Sequence, residues 1–313
     1  MADNGYHEPV MFGETMDALR IHRGGAYVDG TLGGGGHAAG ILARLAGTGR
    51  LIGIDKDAEA LASAGERLAG ASNLTLIHGD FHGARALLAE RGVSELDGAL
   101  LDLGVSSHQL DTPARGFSYR EDAPLDMRMD ASQGETAADL IARMGERELA
   151  RVFYEYGEEN WGARIAREIV ARRERSAILT TFDLVACVDA AVPKPVRMRD
   201  TGHPARRVFQ ALRIAVNDEL APLERALESI AGMLKPGGRL CVITFHSLED
   251  RIVKRTFARL RKPCVCPPSF PVCVCGREPS LTGYGAKPVS PSDEELERNP
   301  RSRSARLRAA EKI

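Results

Sequence analysis

The stretch Ala26-Tyr-Val-Asp-Gly-Thr-Leu-Gly-Gly-Gly-Gly-His37 carries a short apolar run straight into glycines and then into a helical pattern with Ala39, Leu42, Ala43 and Ala46 on one side. A strand that ends in a glycine-rich turn and opens a helix is half of a strand-helix-strand unit. The following sequence repeats the theme. Arg50–Asp55 reads as a second strand, Ala58–Leu68 as an Ala-rich helix, Leu74–His78 as a third strand, Phe81–Ala89 as a helix and Leu96–Leu101 as a fourth strand entering Asp102. Alternation at this spacing predicts an α/β fold with a parallel sheet covered by helices on both faces.

The pattern then breaks. Residues 104–134 are turn-rich and charged, too long for an ordinary connection, and 135–192 reads as several helices without a comparable strand. Leu234-Lys-Pro-Gly-Gly238 reads as a helix stop and turn, after which Leu240–Phe245 restores the strand signal. A helix from about Ala205 to Met233, broken near Pro222, leads back to it. The expected organisation is a sheet domain of residues 1–110 and 208–313 interrupted by a helical domain of residues 111–207.

The chain has 313 residues, 43% of them hydrophobic and 27% charged, a composition of globular rather than disordered or membrane-spanning proteins. No run approaches the roughly 18 apolar residues of a membrane helix, and the N-terminus lacks a basic-then-apolar leader, so a cytoplasmic protein without membrane partners is expected. The net charge of −1 conceals an asymmetry: residues 251–313 carry 14 Lys and Arg against 6 Asp and Glu, leaving 28 against 37 in the rest. A local basic patch suits phosphate, although a solvated face explains it as well.

Glycines at a strand-to-helix turn let the backbone approach a ligand beside free helix N–H groups, so residues 29–37 form a binding turn for a nucleoside-bearing cofactor. No Gly-Lys-Ser or Gly-Lys-Thr follows, which excludes a Walker A loop. Asp55 ends the second strand, 22 positions after Gly33, where a carboxylate can accept both ribose hydroxyls. That pair fits a nicotinamide dinucleotide as well as S-adenosylmethionine. Asp80, with Phe81 for an adenine, and Asp102 then follow the third and fourth strands, and Asp29 precedes the glycines. Such a series of acids repels pyrophosphate and suits a cationic sulfonium with a free amine.

Several segments, in order, carry a more specific signal: the loop 29–37, Leu101-Asp-Leu-Gly-Val-Ser-Ser-His-Gln-Leu-Asp111, Arg115-Gly-Phe-Ser118, Pro124-Leu-Asp-Met-Arg-Met-Asp130, His203-Pro-Ala-Arg206, Phe209-Gln-Ala-Leu-Arg213, Phe245-His-Ser-Leu-Glu-Asp-Arg251 and Asn299-Pro-Arg-Ser-Arg-Ser-Ala305. Together they resemble the bacterial small-subunit ribosomal RNA methyltransferase H family, the cytosine N4-methyltransferases of 16S rRNA. The resemblance implies a Rossmann-like class I methyltransferase sheet with an inserted helical domain that holds RNA. It also implies methyl transfer from S-adenosylmethionine to the exocyclic N4 of one cytidine in the decoding region of the small ribosomal subunit. By the same resemblance, cofactor contacts fall on the loop Gly33, Gly34, Gly35, Gly36 and His37 and on Asp55, Phe81, Asp102 and Gln109. Gly34 and His108 stand where the family often has Arg and Pro. An assembly factor that binds S-adenosylmethionine without catalysis is the alternative, and association into a homodimer stays open.

The exocyclic amine of cytosine is a poor nucleophile, so catalysis must align it and accept its hydrogen bonds. Asp102 is the natural acceptor, with Ser106 and Ser107 to orient the base and His246 as a further base contact or a structural histidine. A hydrolase reading of these residues lacks the G-x-S-x-G elbow. Arg197, Arg199, Arg206, Arg207 and Arg213 fall within seventeen residues, and Arg301 and Arg303 lie in the tail; all seven are candidates for RNA phosphates. Phe117, Tyr119 and Trp161 are the candidates for base stacking. Cys264-x-Cys266 and Cys273-x-Cys275 supply four thiols, but C-x-C is tighter than the common C-x2-C, so the spacing favours reduced cysteines and no metal, with zinc the weaker reading.

Overall fold

The computed structural model describes residues 9–199, 203–270 and 272–313 and divides into two compact units, one of residues 1–104 with 220–313 and one of residues 105–219. The first unit is built on a seven-stranded sheet, β1 (Ala26–Asp29), β2 (Arg50–Asp55), β3 (Leu74–His78), β4 (Leu96–Asp102), β5 (Leu234–Thr244), β6 (Leu281–Val289) and β7 (Arg306–Lys312). The spatial order is β3-β2-β1-β4-β5-β7-β6. The β3-β2-β1-β4-β5 part is parallel, β7 runs antiparallel to β5, and β6 antiparallel to β7. The expected Rossmann-like α/β class is thus present.

Strand order reverses between β1 and β4, and crevices at such a switch point, beyond the carboxyl ends of the strands, are where open α/β sheets bind ligands. Two apolar clusters sandwich the sheet: Val28, Ile52, Ile54, Leu101 and Val242 pack with Leu88, Leu227 and Ile230 on one face, while Tyr27, Leu51, Leu100 and Ile243 pack with Met16, Ile41 and Leu45 on the other. Near-continuous burial along β1 and β4 is what two-sided coverage demands. The helices of this unit are α1 (Phe12–Leu19), α2 (Gly36–Leu45), α3 (Ala58–Arg67) and α4 (Ala84–Ala89) before the excursion, then α12 (Leu223–Ala231), α13 (Ser247–Arg261) and α14 (Asp293–Arg298).

The second unit holds α5 (Ser107–Asp111), α6 (Ala137–Arg143), α7 (Glu146–Gly157), α8 (Gly162–Arg173), α9 (Thr181–Ala191), α10 (Lys194–Arg199) and α11 (Ala205–Asn217) around a separate core of Phe153, Ile165, Ile169, Leu184, Val188, Val208 and Leu212. Its long lead-in is held by two polar groups. Buried Arg115 donates to the carbonyls of Arg128 and Met129 at 3.0 and 2.9 Å, and Asn217 bonds Met127 and Met129 at 2.8 Å each. The motifs 115–118 and 124–130 therefore include framework of this unit.

Several boundaries differ from the sequence reading. The helix expected over 205–233 does break near Pro222, into α11 and α12, with Asp218 left-handed (φ 47°) between them. Val208, Phe209 and Leu212 on α11 complete the helical core, so the helical unit spans 105–219 rather than 111–207. The segment Leu234–Gly238 is not a turn but the irregular start of β5, with Leu234 already paired to Leu96 and a register shift before Gly98. Phe81–Gly83 is a 3-10 turn that precedes α4. The tail, from which the sequence offered Arg301 and Arg303, contributes β7 and, with β6, two strands that the sequence did not announce.

Candidate functional site

The carboxyl ends of β1, β2, β4 and β5 carry Asp29, Asp55, Asp102 and the Phe245-His246 turn. Between them runs the glycine loop, held by bonds to each strand end. Gly30 N–H donates to Leu100 O at 2.9 Å, Leu32 N–H to Ile54 O at 3.0 Å, and Asp102 N–H to Thr31 Oγ1 at 2.6 Å. Asp55 takes Gly33 N–H on one oxygen (2.7 Å) and Asp57 N–H on the other (2.9 Å), which fixes its carboxylate plane. Gly33 and Gly35 sit at φ 51° and 74°, where a side chain is strained. A Cβ on Gly36 falls 2.4 Å from Pro9 Cγ, whereas one on Gly34 meets nothing within 4 Å, so the space at 34 accommodates the larger residue frequent in the resembling family.

The loop delivers α2, whose N-terminus is capped by Gly35 without a side-chain acceptor. His37 in its first turn is buried. Its Nε2 is 3.1 Å from Val10 O and, a carbonyl being only an acceptor, carries the proton; its Nδ1 lies 3.6 Å from Asp102 Oδ2. Burial pushes the imidazole down to about 4, against the bond to Val10. Burial pushes Asp29 up to about 7, opposed by the Thr31 N–H and assisted by Asp55. Asp55 is raised by burial in spite of its two N–H donors. Asp102 is raised well above the usual carboxylate range by burial, then by the charges of Asp29 and Glu249. Asp102 thus faces the charges of Asp29 and Glu249, while Lys56 acts on Asp55, and Asp29 Oδ2 and Asp102 Oδ1 are enclosed without a hydrogen-bond partner among the described residues. A cationic ligand that donates hydrogen bonds fits those two oxygens.

Asp80 is different: burial works against its ionisation, but His82 at 2.8 Å and Lys56 at 3.3 Å outweigh it and hold its pKa below the usual range. Buried Phe81 follows, its ring 4.2 Å from that of His82. His246 caps α13: Glu249 N–H approaches its Nδ1 at 3.5 Å, Glu249 Oε1 lies 3.0 Å from its Nε2, and Glu249 Oε2 accepts Phe245 N–H at 2.8 Å. Such reciprocity is a positioning arrangement rather than an open base contact. Glu249 stands three positions after this cap, the place of the acid in a capping box. Pro9 and Val10, which cover the loop, had no signal in the sequence.

Ser106, Ser107 and Gln109 belong to the helical unit. Ser106 Oγ accepts Gln109 N–H at 3.1 Å and Gln109 Oε1 accepts Ser106 N–H at 3.0 Å, so these two side chains start α5, with Ser107 its first residue. Among the arginines, Arg213 is not a free phosphate ligand: it forms a bidentate pair with Glu219 at 2.8 and 2.9 Å, both side chains largely enclosed. Arg197 pairs with Asp189 at 2.5 Å, and Arg207 lies 3.8 Å from Glu159. Arg206 is exposed, the Arg199 side chain lies outside the described residues, and Arg301 and Arg303 are exposed on a 3-10 turn of the sheet unit. Phe117 is buried, while Tyr119, packed with His203 and Phe209, and Trp161, under Arg164, are both partly open. The tail segment reaches the site through Glu295, which accepts Met11 N–H at 3.1 Å next to the Val10 that holds His37. The four loop cysteines gather their sulfurs within 4.8 Å of one another.

Comparison with known proteins agrees with this geometry. The model of the MraW methylase family matches residues 4–313. A relative from Symbiobacterium thermophilum is 55% identical over 98% of this chain and 97% of its own length, and one from Geotalea uraniireducens is 54% identical over 98% and 99%. One from Heliobacterium modesticaldum is 52% identical over 98% and 99%. All three are named ribosomal RNA small subunit methyltransferase H. With the match covering nearly every residue, the chain belongs to the MraW methylase family.

Proposed function

We propose that the chain methylates the exocyclic N4 of one cytidine in the decoding region of 16S rRNA within the small ribosomal subunit, using S-adenosylmethionine, in the cytoplasm. The observation that carries the reading is the pair of enclosed, unpartnered oxygens of Asp29 and Asp102 at the β1/β4 switch point, beside a glycine loop that Asp55 holds open. The family and the names of its members support the ribosomal substrate. When bound, S-adenosylmethionine supplies an electrophilic methyl on a sulfonium.

In this reading Gly33, Gly34, Gly35 and Gly36 present backbone to the cofactor, His37 and the first turn of α2 lie against its charged end, Asp55 takes the ribose hydroxyls and Phe81 the adenine. Gln109 joins them from the chain segment after β4. Asp102 has two tasks. Its raised pKa reports the cost of an anion in this recess; a cation nearby lowers that cost and leaves a carboxylate able to accept the hydrogen bonds of the amine. Being more basic than an ordinary carboxylate, it also suits the proton that the methylated nitrogen sheds. Ser106 and Ser107, four and five residues on, orient the base, and His246 positions the turn through Glu249. Arg206, Arg207, Arg301 and Arg303 bind phosphate.

Asp102→Asn tests the division of labour. Cofactor affinity is expected to fall by less than about tenfold, while methyl incorporation into small subunits from a strain lacking this gene falls by 100-fold or more. Unchanged turnover overturns the role of Asp102. Cofactor binding by the wild type with no methyl incorporated into any RNA form favours an assembly factor.

A further inference from the structure

The segment between α13 and β6 contains no helix or strand among its described residues, yet its ends meet, with Ser280 N–H donating to Leu260 O at 2.9 Å. Ordering each such residue costs on the order of 1 kcal/mol, and among its described residues this loop has no buried apolar side chain to offset it. Val265, Phe270, Val272 and Val274 are 62%, 50%, 70% and 72% exposed. What converges instead is sulfur. Cys264 Sγ and Cys275 Sγ each lie 3.5 Å from Cys273 Sγ, and Cys266 Sγ lies 3.9 Å from it.

Four thiolates around one zinc ion at a Zn–S distance of about 2.3 Å stand about 3.8 Å apart along each tetrahedral edge. The three separations from Cys273, 3.5 to 3.9 Å, straddle that length, and all four sulfurs lie within 4.8 Å of one another, whereas a disulfide needs about 2.05 Å. The backbone is also turned toward the sulfurs. Val274 N–H donates to Cys266 Sγ at 3.3 Å. A backbone N–H aimed at sulfur is the kind of outer contact that orients a metal-bound thiolate.

We propose that Cys264, Cys266, Cys273 and Cys275 bind one zinc ion as four thiolates, and that this ion closes the loop. Binding replaces four S–H protons with four S–Zn bonds and leaves a site of charge −2, with Arg261, Lys262 and Arg277 close in sequence to offset it. The two short C-x-C arms, for which the sequence made zinc the weaker reading, come together from the two sides of one loop.

The test uses the full chain purified without chelator. Elemental analysis is expected to give about one zinc per chain, and X-ray absorption four sulfur neighbours at about 2.3 Å. Cobalt added after zinc removal should show the visible bands of a tetrahedral tetrathiolate. Removal should also raise tryptic cleavage after Arg261 and Arg277 by about tenfold or more, reversed by zinc. Cys273→Ser should lower zinc to about a tenth or less while S-adenosylhomocysteine affinity stays within about threefold, which separates loss of the site from loss of the fold. Because that variant can misfold, the chelation series on the wild type is the second arm. Zinc-free protein whose four thiols alkylate freely before and after zinc addition overturns the proposal. So does a mass deficit of two or four hydrogens, the mark of disulfides, or bound iron in place of zinc.

Discussion

Asp29 shows how a single side chain reports the ligand its site is built for. Burial pushes its pKa up to about 7 in the fold from 3.8 for a free carboxyl, so the folded state keeps a proton that the unfolded chain has lost between pH 4 and 7. Stability from this group is therefore full below pH 4 and declines as pH rises to about 7, by up to about 1.4 kcal/mol per pH unit. Asp29→Asn should remove that part of the slope, read from urea unfolding between pH 4.5 and 7.5; an unchanged slope contradicts the assigned burial. A cationic ligand favours the ionised form, so S-adenosylmethionine affinity should rise with pH through the same range, and less so in Asp29→Asn. The glycines divide as sharply. Gly36→Ala should cost about 1–3 kcal/mol through its clash with Pro9, and Gly34→Ala within about 0.5 kcal/mol of nothing, by the same unfolding assay. The motif 29–37 was legible because its chemistry is local. Its roof, Pro9 and Val10, was not, since nothing in those residues says that the chain folds back over position 36.

At the scale of elements, the turn after β5 decides what His246 does. An imidazole that accepts Glu249 N–H while Glu249 accepts His246 N–H is a capping box with histidine in the place of serine. His246→Asn, which keeps a capping acceptor, should retain stability within about 0.5 kcal/mol, and His246→Ala should lose about 1 kcal/mol. Turnover near wild type in His246→Asn confirms the positioning role; a loss of 100-fold or more in a stably folded variant makes it a base contact. The alternating strands and helices from Ala26 to Asp102 were readable because two-sided burial writes continuous apolar runs. β6 and β7 were not. Arg306-Leu-Arg-Ala-Ala-Glu-Lys312 buries Leu307 and Ala310 and ties Arg308 to Asp250 at 2.7 and 3.0 Å, contacts formed with α13 and β5 that sequence distance conceals. The same concealment assigned Arg213 to RNA when its partner, Glu219, lay six residues away across a left-handed Asp218.

The whole molecule holds two compact units, a sheet unit with a carboxylate-lined recess and a helical unit whose exposed cations include Arg206. Arg206→Ala should weaken binding to small subunits severalfold and lower the salt dependence by about one ion, without changing the unfolding midpoint. Arg213→Ala should instead destabilise the helical unit by about 1–3 kcal/mol, because it leaves enclosed Glu219 without its partner. Equal effects of the two on RNA binding contradict this assignment. That the molecule is a methyltransferase of small-subunit RNA acting on a cytosine amine is tested most directly by incubating it with S-adenosylmethionine carrying a labelled methyl and small subunits from a strain lacking this gene. The RNA is then digested and its nucleosides analysed by mass. The expected result is label in N4-methylcytidine at one site of the decoding region. Label in another nucleoside, or none where a control enzyme methylates the same particles and this protein binds the cofactor, contradicts it.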